Sequence, residues 1–406
     1  MNLRHLLAVE TLAAEGSVSA AATALAMSQS ALTQALARLE QRLGVRLFER
    51  GRGGATPTQA GQAVAARTVR LRRSLESGLA AGGLAPMAGA GYAPALRRMT
   101  TTRLEYFVQV ALSGSFSVAA RTLAVSQPSL HRAVREAEAV IGAPCFRQRP
   151  QGIEVLAAGS AFARFAALAL NEMRQIEDTA AEARGEAAGR IALGSLPLGH
   201  VALVPEALTR LIVRFPDARI SVSDGTYTDL LRDLRFGRID WLIGALRQPA
   251  PAPDVVERHL FDEGLAVFVR TGHPALAWSR LTPRRLATLN WVTPRQGTPA
   301  RARFDGFFRS EGLAFPERGI SCGSILTARE LMKRTDYAGL FSTEQLGPEV
   351  QTGQLAILSR FVHGAERPIG VAMRADWRPT RLQHEFTRIL AETATEHGLS
   401  EGDARP

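Results

Sequence analysis

The sequence predicts a multidomain fold: two all-α winged helix-turn-helix modules followed by an α/β region of two lobes. Three observations carry this reading. The tract 16–40 returns about 98 residues later, at 114–138. A stretch rich in Gly, Ala and Pro, 81–98, separates the two copies. Beyond Gly189, short apolar runs of strand length alternate with amphipathic runs of helix length.

The repeat comes first. One copy reads Gly16-Ser17-Val18-Ser19-Ala20-Ala21-Ala22, then Ser28-Gln29-Ser30-Ala31-Leu32. The other reads Gly114-Ser115-Phe116-Ser117-Val118-Ala119-Ala120, then Ser126-Gln127-Pro128-Ser129-Leu130. About a third of the positions over 6–61 recur without a gap. A serine hydroxyl satisfies orphan N–H groups of a first helical turn. Ser17 and Ser115 therefore start one helix, and Ser28 and Ser126 start the next. The alanine pairs Ala21-Ala22 and Ala119-Ala120 let two helices cross closely. Leu32, Leu36, Leu39 and Leu43, or Leu130, Val134, Ala137 and Ile141, recur at helical spacing. The opposite face carries Gln29, Ser30, Thr33, Gln34 and Arg38, or Gln127, Pro128, His131, Arg132 and Arg135. A short helix, a tight turn and a polar-faced helix suit a DNA major groove.

The remaining elements follow in order. The chain opens on a helix over 3–12, with Leu6, Val9 and Ala13 on one side and Gly16 as its end. Gly51-Arg52-Gly53-Gly54 reads as the turn of a small hairpin. Thr56-Pro57-Thr58 starts a trailing helix with Pro57 in its first turn, running to about 79. This gives a first module at 1–80, a flexible linker at 81–98 and a second module at 99–156. A long helix within 157–188 carries Phe162, Phe165, Leu168 and Met173, and reads as a seam between chains; packing on its own domain is the alternative. The α/β region spans 189–396, with lobe 1 at 189–264 and 348–396 and lobe 2 at 265–347. Its sheets are expected to be mostly parallel, with helices on both faces. Strands are expected at 191–194, 220–222, 239–244, 265–269, 291–292, 319–322 and 338–341. Those at 355–358 and 368–373 return to the first sheet. A helix over 380–392 closes the region, and 397–406 is a frayed tail.

Formal net charge is +11, which favours an anionic partner. Residues 1–98 hold twelve arginines and five acidic residues, whereas 99–188 hold nine of each, so the excess sits with the first copy. The only two cysteines, Cys145 and Cys322, have no second Cys or His at ligand spacing. Neither a disulfide framework nor a metal site is expected, and no cofactor. Met1-Asn2-Leu3-Arg4-His5 does not open an export signal, and no apolar run reaches membrane-spanning length. The expected setting is cytoplasmic. There is no Gly-x-Ser-x-Gly, HExxH or phosphate-loop pattern, and the histidines are scattered, so an enzyme is the least supported class.

These motifs resemble the LysR-type transcriptional regulators. The first copy carries Ala21-Ala22, Ser28-Gln29, Leu39-Glu40, Leu43-Gly44, Leu47-Phe48-Glu49-Arg50 and Thr56-Pro57-Thr58 with Gly61. The second carries Ser115-Phe116, Ala119-Ala120, Leu123, Ser126-Gln127-Pro128-Ser129-Leu130, Glu138 and Gly142. The region 189–392 looks like the family's effector domain, which is similar to periplasmic solute-binding proteins. The resemblance implies double-stranded DNA and a small-molecule effector as partners and a homodimer or homotetramer, and it leaves room for an RNA polymerase contact. The chain departs from the usual member in having two modules. Its second wing departs as well: Phe146-Arg147-Gln148-Arg149 ends the first strand, and Glu154-Val155-Leu156 replaces Thr56-Pro57-Thr58. Glu154 near a phosphate is unfavourable. The second copy is thus open to three roles: equal reader, dimerisation platform or remnant. The alternative function is a sensor or co-regulator that assembles with other regulators, one or both modules being inactive for DNA.

Candidate residues follow from groove and cleft chemistry. Gln29, Thr33 and Gln34 in one copy, and His131 and Arg132 in the other, supply hydrogen bonds to base edges; Arg132 suits a guanine edge. Ser30 and Pro128 sit at the groove entry. Arg50, Arg52, Arg147 and Arg149 suit phosphate. A cleft between α/β lobes binds ligands at strand ends and helix N-termini. That selects Ser195, Leu196, Gly225 and Thr226 from the first lobe. From the second it selects Thr293, Arg295, Gly297, Thr298, Ser324 and Ser342. Free N–H groups and Arg295 favour a carboxylate or a sugar acid.

Overall fold

Polar caps set the helices of the N-terminal half. The computed structural model describes residues 1–51, 54–150, 152–196, 203–247, 249–250, 252–313, 319–360 and 367–403. The side chains of Arg50, Pro299 and 397–403 lie outside that description. Helix α1 (Leu3–Glu15) is capped by Asn2 and closed by Gly16 at φ 65°. Ser17 caps α2 (Val18–Ala24), and Ser28 caps α3 (Gln29–Leu43). Strands β1 (Phe48–Gly51) and β2 (Gly54–Pro57) form an antiparallel ribbon, and Thr58 caps α4 (Gln59–Ala81). Pro57 thus ends a strand instead of entering the first helical turn, because the Thr58 hydroxyl is the group that reaches the Gly61 N–H.

The same order repeats. Thr100 caps α6 (Thr101–Ser113), Ser115 caps α7 (Phe116–Thr122), and Ser126 caps α8 (Gln127–Ile141). Before them lies a short helix, α5 (Ala93–Arg98), where a linker was expected. This stretch is not free: Leu96 is buried, and Leu84, Tyr92 and Ala95 pack on the same core. Four apolar side chains without a helical period are enough to anchor it. Strands β3 (Phe146–Arg149) and β4 (Gly152–Val155) form the second ribbon, and α9 (Ala157–Ala183) follows.

The correspondence extends to single bonds. The Gly16 carbonyl accepts from Ala55, and that of Gly114 from Ile153. Glu40 accepts the Leu47 N–H at 2.7 Å, and Glu138 the Cys145 N–H at 2.8 Å. A β-carbon at Gly61 would strike the Leu47 carbonyl oxygen at 1.9 Å, and one at Gly159 that of Cys145 at 2.3 Å. Each pair is offset by 98 residues.

Helix α9 is not left uncovered for a second chain. Helix α4 lies along it, antiparallel, and one apolar core runs through both N-terminal units. Gly78 near the end of α4 meets Phe162 and Phe165 near the start of α9. Arg67, earlier on α4, reaches Glu172 at 3.2 Å and Thr179 at 2.7 Å, later on α9. The expected seam between chains is thus filled from within the chain. Periodicity shows that an apolar face needs a partner but not which partner.

The C-terminal half comprises two mixed sheets. Lobe 1 holds β5 (Gly189–Ser195), α10 (Leu203–Arg214), β6 (Ala218–Ser223), α11 (Tyr227–Arg235), β7 (Trp241–Ala245) and β8 (Val255–Glu263). Lobe 2 holds β9 (Leu265–Arg270), α12 (Pro283–Ala287), β10 (Asn290–Thr293), α13 (Pro299–Ser310), β11 (Gly319–Ser321), α14 (Ile325–Arg334), β12 (Tyr337–Ser342), α15 (Thr343–Gln351) and β13 (Leu355–Ser359). Strand β14 (Arg367–Arg374) returns to lobe 1, and α16 (Arg381–Asp403) closes the chain. The strand orders are β6-β5-β7-β14-β8 and β11-β10-β12-β9-β13.

Four features depart from the pattern expected from the sequence. β8 escaped the sequence reading, because its alternating polar residues suit an edge strand better than a buried one. β13 pairs antiparallel with β9, so 355–358 belongs to lobe 2 and the return to lobe 1 comes after 359, not near 347. Each sheet has two parallel and two antiparallel pairings, because strands that enter from the other lobe run in the opposite sense. Helix α16 continues to Asp403, through much of the expected tail; no proline interrupts it, and its two glycines, Gly398 and Gly402, fall in its last turns at about 1 kcal/mol each. Residues 404–406 lie outside the described residues.

Candidate nucleic-acid interface and ligand cleft

The polar faces of α3 and α8 are open. Gln29, Ser30, Gln34 and Arg38 are exposed and Thr33 half-buried. Gln29 donates to Ser19 Oγ at 3.3 Å, and the hydroxyls of Ser28 and Ser30 lie 3.0 Å apart. On α8, Gln127, Pro128, Arg132 and Arg135 are exposed. Gln127 accepts from Ser117, the repeat of the Gln29–Ser19 contact. His131 differs: its ring stacks on Phe116 with centroids 3.7 Å apart, so one face is used for packing and only its edge is available. Arg135 bonds Glu138 at 2.9 Å. Arg132 is in none of the ion pairs found among the described residues.

The wings are unlike. Arg50 belongs to β1, but its side chain lies outside the described residues, as does Arg52. In the second wing, Glu154 sits across the ribbon from Arg147 and pairs with it at 3.5 Å and with Arg149 at 2.6 Å. Both candidate phosphate contacts therefore have an internal competitor.

The lobes meet where Arg247, after β7, reaches Gly297, after β10. Ser195 ends β5 fully buried, with its hydroxyl 3.3 Å from the Leu196 carbonyl. Leu196 packs on Gly244, where a β-carbon would come within 2.7 Å of its Cδ1. Residues 197–202 lie outside the described residues. Thr226 caps α11 and bonds Asp229 at 2.6 Å, with Gly225 before it. Thr293 is buried, 3.4 Å from Arg301 Nη1. Arg295 is exposed and lies over Gly323. Thr298 and Ser324 cap α13 and α14. Ser342 is buried inside a closed capping box with Gln345, so its hydroxyl serves the helix and not the cleft.

The structure brings in three residues the sequence reading missed. Arg247, just past β7, spans the gap: its Nη1 lies 3.5 Å from the Gly297 carbonyl of lobe 2. Its guanidinium stacks 4.0 Å over the Tyr227 ring, and its backbone N–H donates to the Glu257 carboxylate at 3.3 Å. Tyr227 Oη and Arg247 Nε are buried and have no hydrogen-bond partner among the described residues. Burial pushes the Tyr227 phenol up to about 12, with the Glu257 charge adding to it. Burial also raises the Glu257 carboxyl above its ordinary range, against the opposing effects of the Arg247 N–H and charge. A donor cluster with unmet capacity at a strand end suits an anionic oxygen. The strand-end rule that selected Ser195 also selects Arg247.

Comparison with known proteins fixes the family. The model of the LysR substrate binding domain matches residues 184–395. That of the lysR-family bacterial regulatory helix-turn-helix protein matches both 3–62 and 101–160. The chain belongs to the LysR family. This LysR-type chain is 31% identical over 374 residues to the transcriptional regulator GalR of Pseudomonas putida, covering 92% of each. It is 27% identical to PcaQ of Agrobacterium fabrum, over 75% of this chain and 99% of that one. Among solved structures, full-length OxyR from Pseudomonas aeruginosa matches with a TM-score of 0.55 at 21% identity, over 73% of this chain and 97% of that one. Full-length CbnR bound to its target DNA matches with a TM-score of 0.51 at 21% identity, over 73% and 100%. These likenesses carry the fold. The LysR-type chain is a DNA-binding transcription regulator with a helical N-terminal region and an α/β effector domain. No helix among the described residues is long and apolar enough to cross a membrane.

Proposed function

We propose that this regulator carries two winged helix-turn-helix modules in one chain and couples them to a small carboxylate or sugar acid in the cleft. The observation that carries the reading is the bond-for-bond repeat at an offset of 98 residues, with a solvent-facing polar helix in each copy. Arg247, Tyr227, Thr293 and Arg295 are the candidate ligand contacts, with Ser195 and Leu196 as the packed wall. α10 and the edge strand β6 expose Ile212, Val213 and Val222, which suits that face to pairing of chains as a homodimer or homotetramer. A DNA partner fits the cytoplasmic setting expected from the sequence. The test is a salt-dependent titration of the purified chain on the DNA upstream of its own gene. Affinity that falls steeply with salt and is lost on scrambled DNA supports the reading; equal binding to both sequences overturns it.

A second reading rests on Glu154. Its pairing with Arg147 and Arg149 weakens the second wing as a phosphate clamp. The second module would then serve mainly as the partner of the first. Binding unchanged by Arg132→Ala would favour this version.

A further inference from the structure

The contacts between α4 and α9 have a centre. Arg70 meets Glu172 at 2.9 Å, Arg67 meets Glu172 and Thr179, and Gly78 meets Phe162 and Phe165. These pairs run in opposite directions about Arg72 on α4 and Leu170 on α9, which occupy the same repeat position. A second set of contacts agrees. Thr101 donates to the Met1 carbonyl at 2.9 Å, and Arg4 to that of Arg97 at 2.9 Å, so the starts of α1 and α6 meet as well. Antiparallel helices that touch at equivalent positions are related by an approximate twofold axis. That axis relates α3 to α8 in inverted orientation, as the half-sites of a DNA dyad are related.

The axis is approximate in a way that matters. The repeat counterparts of Arg67 and Arg70 are Phe165 and Leu168, that of Glu172 is Ser74, and that of Gly78 is Ile176. Two α4 helices packed this way would leave the arginines without Glu172. Two α9 helices would set Glu172 against Leu168. The side chains therefore select the unlike pair. The reading faces are unlike as well: Ser30, Thr33 and Gln34 against Pro128, His131 and Arg132.

We infer that one chain reads one DNA duplex as an asymmetric dyad, with α3 on one half-site and α8 on a different half-site that carries a guanine for Arg132. The inference rests on the proposed two-module reading. The half-sites should be inverted and about one helical turn apart, roughly 10 bp. An inverted repeat of two identical halves is then not the best site for this protein.

The test is selection from a random-sequence duplex pool by the purified full-length chain. Two unlike inverted halves should be enriched. Duplexes built from two copies of either half should bind at least about tenfold more weakly than the natural pairing. Arg132→Ala should lose the guanine preference, about tenfold, in one half only, while Gln34→Ala relaxes only the other. Both residues are exposed, so folding is not at stake. Enrichment of a perfect inverted repeat, or changes in both halves from either variant, would overturn the asymmetric dyad and leave the family function standing. Failure to enrich any sequence would overturn both.

Discussion

Gly78 on α4 lies directly against Phe165 on α9: a β-carbon at Gly78 would approach Phe165 Cβ to 2.9 Å and Phe162 Cδ2 to 3.2 Å. The close approach lets α4 serve as the packing partner of α9. Gly78→Leu should therefore destabilise the N-terminal half by about 1–3 kcal/mol through overpacking. Gly78→Ala should be destabilising as well, though less, because its β-carbon would meet Phe165 Cβ at 2.9 Å and force the two helices apart, and a helix-propensity gain of about 1 kcal/mol offsets only part of that. Chemical denaturation followed by circular dichroism distinguishes the two; equal effects would remove the steric argument.

Glu172 is the polar counterpart of that contact. It is buried and joins Arg67 and Arg70. Glu172→Ala should cost about 3 kcal/mol, since it leaves the largely buried Arg67 guanidinium without its carboxylate. Glu172→Gln should recover part of this by keeping a hydrogen bond. Loss of stability in both variants to the same degree would show that shape, not charge, matters there.

The second wing offers a gain-of-function test. Glu154→Gln releases Arg147 and Arg149 from their ion pairs. DNA affinity should rise, and the magnitude of the log-affinity against log-salt slope should grow by about one to two units. An unchanged slope would mean that the second wing does not reach the backbone.

Arg247 is the cleft residue to substitute. Ser195 is not, because it is fully buried and a bulky replacement would disturb the sheet itself. For a ligand found by thermal-shift screening of small carboxylates and sugar acids, the wild-type chain at 100 times Kd should gain about 2.7 kcal/mol. Arg247→Met should gain little, with basal DNA binding near normal. Full stabilisation of the variant would move the ligand elsewhere.

Glu257 provides a pH test. Burial raises its folded-state pKa above the unfolded value, so the folded state binds the extra proton. The cost of its charge is absent below pH about 4.5 and grows as pH rises through the raised folded value. Glu257→Gln should remove that loss, so the variant should gain on wild type between pH 4.5 and 7 in denaturation midpoints. A constant difference across that window would contradict it.

The sequence by itself determined the local chemistry. Ser17, Ser28, Ser115 and Ser126 cap the helices they were expected to cap, and the faces of α3 and α8 divide into buried and open sides as their spacing requires. Caps and periodicity act within a few residues, so a single chain exposes them. Strand order in the lobes was less legible: β13 pairs with β9 at the start of lobe 2, and β8 with β14 only after the chain has passed through lobe 2 and returned, pairings between distant segments that short-range patterns do not encode. Only the tertiary structure decided that α4, and not a second chain, covers α9. An apolar stripe records that a face must leave water; the partner is set by shape and charge brought together from distant positions, here Gly78 against Phe165 and Arg67 against Glu172. The same holds in the cleft, where Arg247 matters because folding places it beside Tyr227 and across from Gly297.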